Sequence, residues 1–135
     1  MTKERASRRR EILSAVVDSP VQARIYISTG RPVEARRRCL AHMLHDLATL
    51  GARVHRIAFE SAGEPEDNRD RATIVSSRHL YPSLHETSYE HFRPHEEPLL
   101  SIADVIAWAY GAGGMWRQQV EGVVEKVVAL DENGP

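Results

Sequence analysis

The segment from Val21 to Glu60 constrains the fold most, because it reads as a strand, a helix and a second strand in succession. Residues 21–28, VQARIYIS, alternate apolar and polar side chains, which is typical of a strand with one buried face. Residues 32–50 repeat apolar side chains at steps of three and four, and Pro32 suits the first helical position. Residues 53–60 form a second apolar strand. Because a strand–helix–strand unit joins parallel strands through a right-handed crossover, we predict an α/β fold.

The remaining segments predict more helices around a small, mainly parallel sheet. Helical spacing predicts helices over 5–18, 99–111 and 115–128, and a weaker alternation predicts a third strand over 85–92. The acidic stretch 61–70 reads as a loop, and 68–77 reads as a short helix. We expect one domain over 1–135, with a disordered tail over 131–135.

Cysteine content and hydropathy indicate a soluble protein. Cys39 is the only cysteine in the sequence, so no intramolecular disulfide can form, and a reducing cytoplasm is the simplest setting. No apolar run approaches the roughly 20 residues that a membrane-spanning helix needs. Cys39 falls on the apolar side of its predicted helix, which favours a core residue over a nucleophile.

Charge is divided unevenly along the chain. Residues 1–56 contain 12 Lys and Arg against 5 Asp and Glu, whereas residues 57–135 contain 6 against 14. A basic half can bind nucleic acid, but two halves of opposite charge can also attract each other within one fold or between subunits. Two arginine triplets are the candidate nucleic-acid contacts, or else solvated helix faces: Arg8, Arg9, Arg10, Arg36, Arg37 and Arg38.

Asp104 stands inside the most apolar stretch of the chain, LLSIADVIAWAY over 99–110. A helix that is apolar all round is expected to be buried, and a buried carboxylate must be hydrogen-bonded, ion-paired or bound to a metal. The structural alternative is that an Arg or a backbone N–H satisfies Asp104. If it binds a divalent metal, its candidate partners are Glu60, at the end of the second strand, and Asp67 and Asp70 just beyond it. Open α/β folds place their sites at such strand ends.

Histidines add weaker candidates. His42 and His45 are three residues apart on a predicted helix, which allows a metal pair but is more typical of solvated histidines. The segment before the apolar helix could join a metal site or supply a general base, although an acidic helix start explains its carboxylates equally well. Its candidate residues are His91, His95, Glu96 and Glu97.

The stretch EPLLSIADVIAWAYG over 97–111 resembles the C-terminal helix of a large, uncharacterised bacterial family with a ribonuclease H-like fold. That helix carries a (P)LLxxADxxAxA pattern, and RIAFES over 56–61 is similar to the family's fourth strand. TKERASRRREIL over 2–13 resembles the stretch that leads from the second strand into the third. The pattern residues present here are Pro98, Leu99, Leu100, Ala103, Asp104, Ala107 and Ala109.

The resemblance implies a two-metal site that holds Mg²⁺ or Mn²⁺ for phosphodiester hydrolysis. Asp104 matches the ligand on the last helix, and Glu60 matches the ligand on the fourth strand. The family's first-strand Asp has no counterpart here, so the resemblance implies a domain that lacks its first two strands. Asp67 or Asp70 would then replace the lost ligand, and a second copy of the chain could cover the exposed strand edge.

Three functions remain as hypotheses. The first is metal-dependent hydrolysis of nucleic acid, and the second is nucleic-acid binding without catalysis. The third is a non-enzymatic protein that associates with itself. Because the central ligand is lacking, we expect the chain as written not to be a competent nuclease; if it is active, it should depend on Mg²⁺ or Mn²⁺.

Overall fold

A computed structural model describes residues 3–49, 56–93 and 95–130, with side chains from residue 6 onward. These residues form five α-helices and four strands, which confirms the α/β class. The helices are α1 (Lys3–Val17), α2 (Pro32–Thr49), α3 (Glu64–Leu80), α4 (Pro98–Ala112) and α5 (Gly114–Val120). The strands are β1 (Ala23–Ser28), β2 (Arg56–Glu60), β3 (Ser88–Phe92) and β4 (Val124–Leu130).

The described strands pair in two separate two-stranded sheets. β2 and β3 are parallel, with Ile57 opposite Tyr89 and Phe59 opposite His91. β1 is hydrogen-bonded to β4, so in the described part of the chain it does not share a sheet with β2. The predicted parallel character therefore holds for β2 and β3, whereas the predicted pairing of the first two strands is wrong.

The chain divides into two compact units. The first contains residues 1–25 and 97–128, and the second contains residues 26–96 and 129–135. The first unit packs α1 against α4 and α5 around a core that is entirely apolar among its described residues. Its most buried large side chains are Leu13, Val16 and Val120. The expectation of a single ribonuclease H-like domain stays a prediction.

In the second unit, α2 packs on α3, and both helices share an apolar core with the inner face of β2. The buried apolar residues of that core are Leu40, Leu44, Phe59, Ile74 and Leu84. Four polar residues are also buried in this unit: Asp67, Asp70, Ser77 and Thr87.

The predicted helix over 115–128 is wrong in its second half. α5 ends at Val120, a turn follows, and Val124–Leu130 form β4. The valines at 123, 124, 127 and 128 fit a helical stripe, but β-branched side chains also favour strands. Pairing with β1, which is distant in sequence, decides between the two structures.

The acidic stretch after β2 is also more ordered than predicted. α3 begins at Glu64 rather than near residue 68, with a proline in its first turn. Three acidic side chains in that turn favour the positive end of the helix dipole: Glu64, Glu66 and Asp67.

Other predicted boundaries agree within about three residues, as is usual for helix and strand ends. The helix over 5–18 is α1, the helix over 32–50 is α2, the helix over 99–111 is α4, and the strand over 85–92 is β3. Residue 50, residues 53–55 of the predicted strand over 53–60 and the tail 131–135 lie outside the described residues. Among the described helices, none is long and apolar enough to span a membrane.

Candidate metal centre

α3 carries two buried carboxylates on the face that it turns towards the core. Asp67 and Asp70 are one helical turn apart, and Ile74 and Ser77 continue the same buried stripe. The stripe therefore changes from acidic to apolar along the helix. The local sequence places two carboxylates side by side because residues three apart share a helix face.

His91 reaches the same place from β3. It alternates with Tyr89 on the inner face of the strand, while Glu90 between them is exposed. The imidazole stacks on Phe59 of β2, with ring centroids 5.1 Å apart, and its side chain is 4% exposed. The parallel register thus fixes the position of His91 within the core of the second unit.

The three side chains converge on a small volume. His91 Nε2 lies 3.0 Å from Asp70 Oδ2 and 3.8 Å from Asp67 Oδ1. One ligand atom from each of the three residues lies within 4.8 Å of the others. The arrangement has the size of a metal-binding site, built from two carboxylates and one imidazole.

A loop at the end of β2 holds Asp67 in place. Ser61 donates its hydroxyl to Asp67 Oδ2 at 2.6 Å, and the backbone N–H of Ala62 donates to Oδ1 at 3.1 Å. The hydrogen bond from Ser61 is the main reason that the pKa of Asp67 lies below its ordinary value. This carboxylate is therefore ionised and oriented at neutral pH.

Asp70 is held by a cation on the neighbouring helix. Arg36 of α2 donates from Nε to Asp70 Oδ1 at 2.9 Å and from Nη2 to Oδ2 at 2.8 Å. Burial by itself would raise the pKa of Asp70, but the hydrogen bonds from Arg36 and His91 together lower it. The bond to Asp70 in turn raises the pKa of Arg36. The pair is charged, bidentate and buried on its acidic side.

One polar atom of the cluster has no partner. His91 Nδ1 is buried and makes no hydrogen bond. A buried nitrogen in this state costs about 1–3 kcal/mol, and such groups are retained mainly where a ligand, ion or reaction uses them. The imidazole is therefore more than a filler of the core.

The donor set fits a divalent cation of the Mn²⁺ type. Mg²⁺ takes oxygen ligands almost exclusively, whereas Mn²⁺ accepts carboxylate oxygen together with imidazole nitrogen. Nε2 of His91 now faces Asp70 as a hydrogen-bond partner, so coordination through that atom would release a proton. Two buried carboxylates beside one half-exposed arginine leave negative charge for a cation to neutralise.

Asp104, which the sequence singled out, lies on the exposed side of α4. The helix buries Val105, Ile106 and Ala109 and turns Ala103, Asp104 and Ala107 outward, so the expectation of a helix buried all round is wrong. The carboxylate needs no compensating partner because it stands in water. Its role as a metal ligand stays a prediction of the resemblance.

Glu60 also has an exposed side chain, at the last position of β2. Among the described residues, the group with metal-binding geometry contains Asp67 and Asp70 but not Glu60 or Asp104. Of the four predicted metal ligands, the structure thus brings two together and adds His91.

Most of the candidate arginines have partners within the protein. Arg9 stacks over Trp108 at 4.1 Å and Arg10 lies over Trp116 at 5.7 Å. Arg37 pairs with Glu34 at 2.8 Å, and Arg38 donates to Ser28 Oγ and the Thr29 carbonyl. Arg8 is exposed.

The other candidates from the sequence lie outside this cluster. Cys39 is half-buried, and burial raises the pKa of its thiol, which disfavours a nucleophile. His42 and His45 both face Asp46, at 3.4 and 3.3 Å. The side chains of His95 and Glu96 are exposed, and Glu97 is the residue at which α4 begins.

No known protein family matches the chain, and neither curated proteins nor solved structures show significant similarity to it.

Sequence reasoning missed two parts of the centre. The bond between Arg36 and Asp70 joins residues 34 positions apart, and no local pattern signals it. Ser61 was noted only as lacking a hydrolase motif, yet its position beside a predicted strand end and six residues before Asp67 is the signal that was available.

Proposed function

We propose that this protein binds a divalent cation through Asp67, Asp70 and His91, and that it acts on phosphodiester bonds of nucleic acid. The observation that carries the proposal is the convergence of three ligand atoms within 4.8 Å, one of them on an imidazole whose other nitrogen has no partner. A bound divalent ion would polarise a phosphoryl oxygen or activate water.

The position of the cluster supports this proposal. His91 is the next-to-last residue of β3, and Asp67 and Asp70 follow β2 on the helix that begins just beyond it. Parallel strands in α/β proteins place their ligands at these carboxyl ends. The resemblance to a ribonuclease H-like family points to the same chemistry, although the ligand set proposed here differs from the Asp104 and Glu60 set that the resemblance implies.

Calorimetric titration with Mn²⁺ and Mg²⁺ tests the metal site. We expect Mn²⁺ to bind the parent more tightly than Mg²⁺, and Asp67→Asn, Asp70→Asn and His91→Gln each to weaken Mn²⁺ binding at least tenfold. Glu64→Gln is the matched control, because it removes an exposed carboxylate from the first turn of the same helix. We expect it to bind Mn²⁺ like the parent.

Asp104→Asn distinguishes the two possible ligand sets. If Mn²⁺ binding is lost in Asp104→Asn and retained in Asp70→Asn, the proposed centre is wrong and the set implied by the resemblance is right. If the parent binds Mn²⁺ as proposed, cleavage of a labelled single-stranded oligonucleotide with and without Mn²⁺ then decides between hydrolysis and binding alone.

Self-association is a second candidate function. Each described strand pairs with one neighbour only, so each two-stranded sheet has edges that a second copy could extend. Light scattering over a range of protein concentrations tests this. A monomer at all concentrations would exclude a homodimer through a strand edge.

A further inference from the structure

A cavity of about 290 Å³ lies between α2 and α3, directly beside the metal-binding cluster. This volume is near the lower end for small-molecule sites, so it suits one compact ligand rather than a duplex. Arg36 and Asp70, which join the cavity to the cluster, are both part of its wall. Val33 and Ala72 supply apolar surface.

Three arginines line this cavity, and each faces a carboxylate. Arg37 pairs with Glu34, and Arg69 lies 3.9 Å from Glu66; both pairs are formed between neighbouring turns of one helix. Arg36 pairs instead with Asp70 across the two helices. The pairs differ in one respect that matters for binding: Asp70 also belongs to the metal-binding cluster, whereas the two glutamates do not.

A cation on Asp70 changes what Arg36 can do. Coordination uses the carboxylate oxygens that Arg36 now contacts, so the guanidinium loses part of its partner's charge. Its side chain is half-exposed and borders the cavity, so it can turn towards an anion there. A phosphate accepts the same two parallel N–H bonds that a carboxylate accepts.

We propose that this cavity binds a nucleoside monophosphate, and that Arg36 exchanges Asp70 for the phosphate when a divalent cation occupies the cluster. The phosphate lies towards Arg36 and the cluster, and the sugar and base pack on Val33, Ala72 and the arginine stems. This inference rests on the proposed function, because the cation at Asp70 is what releases Arg36.

The exchange predicts positive coupling between Mn²⁺ and nucleotide. We expect adenosine monophosphate to bind the parent at least about tenfold more tightly with Mn²⁺ than without it, measured by calorimetry. Inorganic phosphate should show the same coupling with weaker binding, because it lacks the base and sugar. By linkage, the nucleotide must tighten Mn²⁺ binding by the same factor, which provides an internal check.

Two variants test whether Arg36 carries the coupling. Arg36→Gln should bind Mn²⁺ at least as tightly as the parent, because Asp70 is freed, and should lose the coupling. Arg36→Lys should keep the charge but show reduced coupling, because an ammonium cannot form the bidentate contact. Arg71→Gln is the matched control: it removes a guanidinium from the same face of the charge distribution around Asp67, but Arg71 bonds only Asn68 among the contacts given and does not line the cavity. It should keep the coupling.

The failures are distinguishable. Parent protein that binds Mn²⁺ but holds adenosine monophosphate equally well with and without it would overturn this inference and leave the proposed function standing. Coupling that persists in Arg36→Gln would overturn the role of Arg36 and place the phosphate on the metal itself. Absence of Mn²⁺ binding to the parent would overturn both.

Discussion

The two compact units of this chain bury different kinds of side chain. In the first unit, the seven buried residues are all apolar, whereas the second unit buries four polar residues beside five apolar ones. Buried polar groups lower stability unless they are satisfied, and one nitrogen in the second unit is not satisfied. The first unit is therefore built for stability, and the second gives up some stability to hold a charged cluster.

The tryptophans and arginines follow the same division. In the first unit, Arg9 and Arg10 cover Trp108 and Trp116, so the cations close the rim of an apolar core. In the second unit, Arg36 reaches inward to a buried carboxylate. The same residue type thus covers a core in one unit and balances a buried charge in the other.

The largest expected effect comes from a cavity in the apolar unit. Leu13 is 1% exposed, so Leu13→Ala should lower the free energy of unfolding by about 2–5 kcal/mol in urea titration. Leu99→Ala, at a side chain that is 59% exposed, should change it by less than about 0.5 kcal/mol. We expect folded Leu13→Ala to bind Mn²⁺ like the parent. Weaker binding would mean that the apolar unit contributes to the metal centre.

A smaller loss is expected from the charged cluster. Asp70→Asn removes the partner of Arg36 and His91, and because Arg36 is half-exposed we expect a loss of about 1–3 kcal/mol at pH 7. The pKa of Asp70 is lowered in the folded state, so its contribution is complete above the ordinary value of 3.8 and is lost as pH falls through the folded value. The difference in unfolding free energy between parent and variant should therefore shrink below about pH 4.

Urea titrations at several pH values between neutrality and acid check this prediction, with Glu64→Gln as the control. A difference between parent and Asp70→Asn that stays constant down to acid pH would show that the carboxylate stabilises the fold by packing rather than by charge.

The smallest effect is expected at the rim of the apolar unit. Arg9→Gln removes the cation that lies 4.1 Å from the Trp108 ring centre and should cost about 0.5–1 kcal/mol. Arg8→Gln removes the same charge from an exposed neighbour and should be close to neutral. Equal losses in the two variants would assign the effect to net charge, and the rim contact would then contribute nothing.

Local patterns predicted the elements well and their partners poorly. The period-two alternation of β1 and the helical spacing of α2 are properties of the segments themselves, and both elements were found. The choice of β4 as the partner of β1 depends on contacts about 100 residues apart, which no short pattern encodes. The same limit explains the misassigned second half of the helix over 115–128.

Asp104 shows a different limit. Its neighbours Ala103 and Ala107 count as apolar in a composition window, but alanine is also the best helix former at exposed positions. The run was therefore interpreted as buried all round, although its larger side chains occupy one face. Asp67 and Asp70 were correctly expected near a site because they follow a strand end, a position that sequence order alone reveals.

The position of His91 has a consequence for how the second unit assembles. Asp67 receives its hydrogen bonds from a loop only a few residues away, so local chain folding can prepare it early. His91 arrives only when β3 docks beside β2 with Phe59 opposite it. A slip of one residue would turn the imidazole to the other face of the strand and leave two carboxylates buried without it. The charged cluster therefore penalises misregistered strands, and a pair of five-residue strands has one alignment in which all its buried charges are met.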